Sequence, residues 1–248
     1  MLAATPRRTA LARARAALLD LLFPPRCAGC GRRGVWLCSP CLAQVSPLQP
    51  PFCRRCGRSR PGGSVTGDRC SSCREDTLRS LDWARAAYPL AGPVRAAIHR
   101  FKYEKERARA GQLGLLLPPL LADVGLTPAL LLIPVPLNAA RRRERGYNQA
   151  EELARVLAGA GGWTLGTGLV RTRATIPQVG LDRDARQRNV DGAFVWRGSP
   201  LEGVQIVLVD DVMTTGATAD ACAAALKMAG ASRVGLVTVA RALDVRGR

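Results

Sequence analysis

Residues 207–219 read VLVDDVMTTGATA, and the change of character along that run decides the fold. Its apolar start belongs to VQIVLVDD (204–211), a run short and apolar enough for a fully buried strand. Two adjacent carboxylates, Asp210 and Asp211, stand at the C-terminal end of that strand. A Thr/Gly loop then enters TADACAAALKMAG (218–230), a helical stretch closed by Gly230. ASRVGLVTVARA (231–242) is the next strand. Strand, helix and strand within about forty residues make a βαβ unit, which implies a parallel sheet covered on both faces.

The same run defines a chemistry. At a helix start, free backbone N–H groups and the positive end of the dipole converge, and the hydroxyls of Thr214, Thr215 and Thr218 add donors. A phosphate dianion fits there, and Gly216 removes the Cβ that would block close approach. Neighbouring carboxylates tolerate a phosphate only if hydroxyls or a metal stand between them. A ribose 5-phosphate meets both demands, with its diol on Asp210 and Asp211 and its phosphate in the loop. No Gly-Lys-Ser/Thr follows and no GxGxxG opens a strand-to-helix turn, which excludes the Walker and dinucleotide-binding loops.

Toward the N-terminus, NQAEELARVLAGAGG (148–162) is an amphipathic helix, and LLLIPVPL (130–137) is a short apolar strand with a stiff proline loop straight after it. Residues 92–125 read as two helical stretches broken by glycine and by Pro118-Pro119, and ARAAYPL from Ala84 as a strand. Before about residue 80 the text is different. Eight of the nine cysteines form four CxxC pairs, Cys27/Cys30, Cys38/Cys41, Cys53/Cys56 and Cys70/Cys73, in a stretch too poor in large apolar residues to bury a core unaided. Two such pairs complete a sulfur tetrahedron, so four pairs hold two zinc ions. Sequential pairing needs the shortest loops and is the reading adopted, with interleaved pairing left open. All four positions of each ion are filled by protein, which makes the zinc structural. Gly31 and Gly57 suit the tight turn after the first and third pairs. Cys222, in an alanine-rich helix, reads as a small buried hydrophobe, and His99, the only histidine, as packed and not as a base.

Residues 10–23 form an amphipathic helix stopped by Pro24-Pro25, and Arg13 and Arg15 interrupt any reading of it as a signal peptide. No stretch approaches the roughly 20 apolar residues of a membrane span, and paired cysteines of this kind belong to a reducing compartment, so a cytoplasmic protein is expected. The formal charge is +18, with fourteen basic against four acidic residues in 1–80 and twenty-three against fifteen in 81–248. Such a field attracts phosphate-rich partners and predicts salt-sensitive binding. Aromatics make up only 4 % of the chain, so a base-stacking groove would rest on Trp36, Phe52, Phe101, Tyr103 and Tyr147.

The 207–219 loop resembles the phosphoribosyl pyrophosphate signature of type I phosphoribosyltransferases. With IPVPLNAARRRERGYNQAEELA (133–154), RTRATIPQVGLDRDARQRNVDGAF (171–194), HRFKYEKER (99–107) and the CxxC module, nearly the whole chain resembles the ComF family of competence-associated proteins. The resemblance implies an N-terminal helix over 1–26, a double zinc ribbon over 27–80 and a parallel-sheet α/β domain of the phosphoribosyltransferase type over 84–248. It implies phosphoribosyl pyrophosphate held with magnesium by Val209, Asp210, Asp211, Val212, Met213, Thr214, Thr215, Gly216, Ala217 and Thr218. Lys102 and Arg145, with Arg173, Arg183 and Arg186 next, would face the pyrophosphate, and Asn148 and Gln149 would position it. Asp210, Asp211 and Arg145 would be the catalytic set if transfer occurs. Three functions stay open: a module that holds phosphoribosyl pyrophosphate and handles incoming single-stranded DNA beside uptake proteins, a phosphoribosyltransferase with an unknown acceptor, and a nucleotide-responsive regulator. No segment resembles a hood that recognises a nucleobase.

Overall fold

The computed structural model describes residues 24–59, 69–70, 73, 78–122, 124–126, 130–172 and 192–242. The N-terminal helix, Arg173, Arg183 and Arg186 lie outside the described residues. The sheet has five parallel strands in the order β1-β7-β6-β2-β3: β1 Trp83–Pro89, β2 Leu130–Pro134, β3 Thr164–Leu165, β6 Gln205–Met213 and β7 Arg233–Arg241. A separate antiparallel pair joins β4 Leu169–Arg171 to β5 Phe194–Trp196. Central β6 is buried because it is apolar on both faces. Val207 and Val209 pack in one core cluster with Phe101 and Leu153, and Ile206 and Leu208 in the other with Cys222 and Leu226. The period-two alternation thus fills both sides of the sheet at once. Cys222 is fully buried, as its helix composition requires.

The helices are α1 Ser39–Leu42, α2 Gly92–Tyr103, α3 Arg109–Gly114, α4 Ala139–Arg145, α5 Gln149–Gly161 and α6 Ala217–Met228. Two differences from the sequence reading bear on the site. The two helical stretches over 92–125 part at Lys105, whose φ is +55°, and the second ends at Gly114, before Pro118 opens a 3-10 turn over Pro118–Leu121. Helix α4 was not anticipated, because AARRRER carries no apolar stripe. It forms because Asn138 caps it, accepting from the Ala140 amide at 2.9 Å, and Gly146 ends it at φ +80°. Asn148 caps α5 in the same manner, accepting from the Ala150 amide at 3.1 Å.

The cysteine module is not a tethered appendage. Cys27, Cys38 and Cys41 belong to the first core cluster, and Cys53, Cys56, Cys70 and Cys73 to the second. The first ribbon is clamped by Arg109, fully buried, which donates to the carbonyls of Trp36 at 2.7 Å and Arg26 at 3.1 Å and lies over the Trp36 ring. Gln112 adds a two-way amide pair with the Leu37 backbone.

Candidate functional site

A cleft opens at the carboxyl edge of the sheet between β2 and β6. The chain leaves β6 through α6 toward β7 and leaves β2 through α4 and α5 toward β3, so the crossovers diverge and a crevice of about 570 Å³ remains. Asp210, Asp211, Val212 and Met213 of β6 line it, together with Thr214, Gly216 and Thr218 at the mouth of α6. Lys102 and Tyr103 reach it from the end of α2, and Arg145 from α4.

The two acids differ in surroundings. Lys102 Nζ lies 2.9 Å from Asp211 Oδ1, so Asp211 is compensated. Asp210 accepts the Asp211 amide at 2.8 Å, but burial and the Asp211 charge push its carboxyl up to about 7, against the opposing pull of Lys102 and Arg145. Arg145 is only 7 % exposed. It lies over the Tyr103 ring and donates to Gln149 Oε1 at 3.0 Å, while its Nε is buried with no hydrogen-bond partner. A buried cation with a spare donor beside a cleft suits an incoming anion.

At the helix mouth the N-cap residue Gly216 holds φ +90° and offers no side chain to α6. The acid in its first turn, Asp220, is turned away and accepts from the Ser80 and Leu81 amides, both at 2.9 Å. Neither the N-cap residue nor the first-turn acid caps this helix start, an arrangement that suits an anionic ligand. Of the residues the sequence singles out, Asp210, Asp211, Val212, Met213, Thr214, Gly216, Thr218, Lys102, Arg145, Asn148 and Gln149 come together in this cleft. Val209 and Ala217 are buried and do not line it, and Thr215 turns its hydroxyl to the Ala217 amide at 3.4 Å. Tyr103 and Arg171 also line it, and sequence reasoning missed them as ligand contacts because nothing local marks them. His99 is exposed, tilted against Tyr103, and outside the cleft lining.

The cysteines resolve into two groups, Cys27, Cys30, Cys38, Cys41 and Cys53, Cys56, Cys70, Cys73, with the sulfurs of each within 4.8 Å of one another. Pairing is sequential. Sulfur separations of 3.5 Å for Cys27 and Cys38 and 3.7 Å for both Cys30 and Cys38 and Cys56 and Cys70 fall at or a little below the roughly 3.8 Å edge of a zinc tetrahedron with 2.3 Å bonds. Amides point at the sulfurs, Cys38 N to Cys27 and Cys70 N to Cys53, each at 3.3 Å. Without a metal the clustered thiols oppose one another: burial pushes Cys27 up but the amides of Cys38, Cys30 and Gly29 outweigh it and pull the group down, while its neighbours' sulfurs push Cys41 up. The donor set fits zinc.

The five aromatics on which a stacking groove would rest do not assemble one. Phe101 and Tyr147 are buried, and Trp36 and Phe52 are half-buried with Arg109 and Arg85 over their rings. Tyr103 alone of the five is exposed.

Residues 18–74 match the double zinc ribbon domain and residues 143–247 the phosphoribosyl transferase domain. Fold, cleft and cysteine sites thus define a phosphoribosyltransferase-type domain carrying a double zinc ribbon. The DNA utilization protein YhgH of Salmonella typhimurium is 31% identical over 215 residues, covering 84% of this chain and 91% of that one. Competence protein F of Haemophilus influenzae is 31% identical over 216 residues, covering 83% and 90%. Competence protein ComFC of Bacillus subtilis is 25% identical over 184 residues, covering 73% and 74%. The chain belongs to the ComF family. Among the described residues no helix is long and apolar enough to cross a membrane.

Proposed function

We propose that the cleft binds phosphoribosyl pyrophosphate with magnesium, and that the protein uses this site while handling single-stranded DNA during DNA uptake in the cytoplasm. The observation that carries the reading is the acid pair on β6 standing directly before a helix mouth whose N-cap is Gly216. The 5-phosphate occupies the turn from Thr214 to Thr218, and the ribose diol donates to Asp210 and Asp211. Arg145, with its spare Nε, takes the pyrophosphate. Lys102 lies 2.9 Å from Asp211, close enough to exchange part of that pairing for a ligand oxygen. Bound magnesium would neutralise pyrophosphate oxygens. Diffraction from crystals soaked with the ligand and magnesium tests this, since density over residues 214–218 is expected and density elsewhere contradicts it.

The names of the relatives, DNA utilization protein and competence protein, support the DNA setting. With so few exposed aromatics among the described residues, strand binding rests on arginine and phosphate. Affinity for a random oligonucleotide is therefore expected to fall steeply with salt, and a flat salt dependence contradicts that part.

Transfer to an acceptor is the second reading, favoured by the intact acid pair. Two amides that line the cleft already hold internal partners, Asn148 the Val135 carbonyl and the Ala150 amide, Gln149 Arg145 and the Phe101 carbonyl, and each keeps a second N–H and a second lone pair for an acceptor. Acceptor-dependent pyrophosphate release, lost in Asp210→Asn with Asp211→Asn, decides for transfer.

A further inference from the structure

The second zinc ribbon reaches the sugar-phosphate loop through one buried arginine. Arg241 ends β7 and is 4 % exposed, and no carboxylate pairs with it among the described residues. Its NH1 donates to the Cys56 carbonyl at 2.6 Å and lies 3.0 Å from Met213 Sδ. Cys56 is a ligand of the second site, and Met213 is the last residue of β6 and lines the cleft. The sheet register sets Arg241 beside Met213, and the Ala242 amide donates to the Met213 carbonyl at 2.9 Å.

A buried guanidinium without a carboxylate is costly unless something compensates its charge. Four thiolates around one zinc carry a net charge of about −2, and the Cys56 carbonyl is part of that group's backbone. The loaded site therefore supplies the missing counter-charge. Two further contacts tie the same loop to the chain leaving the ribbon. Leu78 packs so tightly on Gly216 that a Cβ there would lie 2.9 Å from Leu78 Cδ2, and Asp220 is held by the Ser80 and Leu81 amides.

We propose that Arg241 is a positioning residue that couples the second zinc site to the sugar-phosphate loop. Zinc fixes Cys56, the Cys56 carbonyl fixes the guanidinium, and the guanidinium fixes Met213 and the turn that follows it. The functional side of this inference rests on the cleft reading above, whereas the structural coupling does not.

The test uses full-length Arg241→Met, Arg241→Lys and Met213→Leu, with zinc per chain measured after denaturation. Loop order is read without ligand, as hydrogen exchange of peptides over 212–219, and function as affinity for phosphoribosyl pyrophosphate with magnesium. Losing a charge-assisted hydrogen bond is expected to speed 212–219 exchange about tenfold and weaken binding about tenfold, with two zinc ions retained and exchange over α5 unchanged. Lys keeps the charge but carries it as a compact ammonium on a shorter side chain than the guanidinium that reaches the Cys56 carbonyl and Met213 Sδ, and so recovers only part of the loss. Met213→Leu moves exchange in the same direction, and the double variant is no worse than Arg241→Met alone. Unchanged 212–219 exchange in a zinc-replete Arg241→Met protein overturns the inference, as does zinc loss in that variant with unchanged exchange in Met213→Leu. If the parent protein binds no ligand, the cleft reading falls while the exchange result still decides the coupling.

Discussion

Asp210 and Asp211 are consecutive residues with opposite electrostatic histories. Asp211 has Lys102 at 2.9 Å, while Asp210 sits near neutral pH because burial and its charged neighbour raise it from the usual 3.8 to about 7. A carboxyl raised on folding adds stability that is complete below its unfolded value and is lost as pH climbs through about 7. Asp210→Asn is therefore expected to raise the melting temperature of the unliganded protein at about pH 8, by on the order of 1–2 kcal/mol of stability, while removing ligand binding. An unchanged or lower melting temperature contradicts the assigned burial. Ribose hydroxyls need the ionised acid, so affinity for phosphoribosyl pyrophosphate is expected to rise between about pH 6 and 8 with release of a proton, visible as a buffer-dependent heat. The acid pair and the threonine loop were legible because they are local. The Lys102 pairing was not, since α2 places that lysine from more than a hundred residues away along the chain.

The two knuckle glycines show how like sequence signals acquire unlike weights. Gly31 and Gly57 each follow a CxxC pair and hold φ of +75° and +68°. A Cβ at Gly31 meets nothing within 4 Å, but one at Gly57 would lie 2.2 Å from the Ala84 carbonyl oxygen, at the start of β1. Gly31→Ala should cost about 1 kcal/mol of conformational strain, and Gly57→Ala roughly 3 kcal/mol or more, because the second ribbon must also lift from the sheet. Melting of the two zinc-loaded variants checks this, and equal losses would contradict the docking. The spacing CxxCG shows the turn but not the neighbour. Helix α4 is hard to read from the sequence for a related reason, because a run of arginines carries no apolar period, and only the Asn138 cap and Gly146 stop mark it.

Across the whole molecule, the division into a small cysteine module and an α/β domain is readable from composition, but their union is not. Arg109, Gln112 and Arg241 join the ribbons to both ends of the domain through backbone carbonyls, and such contacts leave no mark in composition or periodicity. Because the cysteines sit in both core clusters, the zinc-loaded chain is expected to melt in one transition, and a strong chelator to abolish that transition. A surviving separate transition of the α/β domain contradicts the shared core. The most direct test of the central claim is calorimetric titration of the zinc-loaded protein with phosphoribosyl pyrophosphate and magnesium. One-to-one binding, lost when Asp210 and Asp211 are both replaced by Asn, is the predicted result. No heat at about millimolar ligand with the fold intact would contradict it.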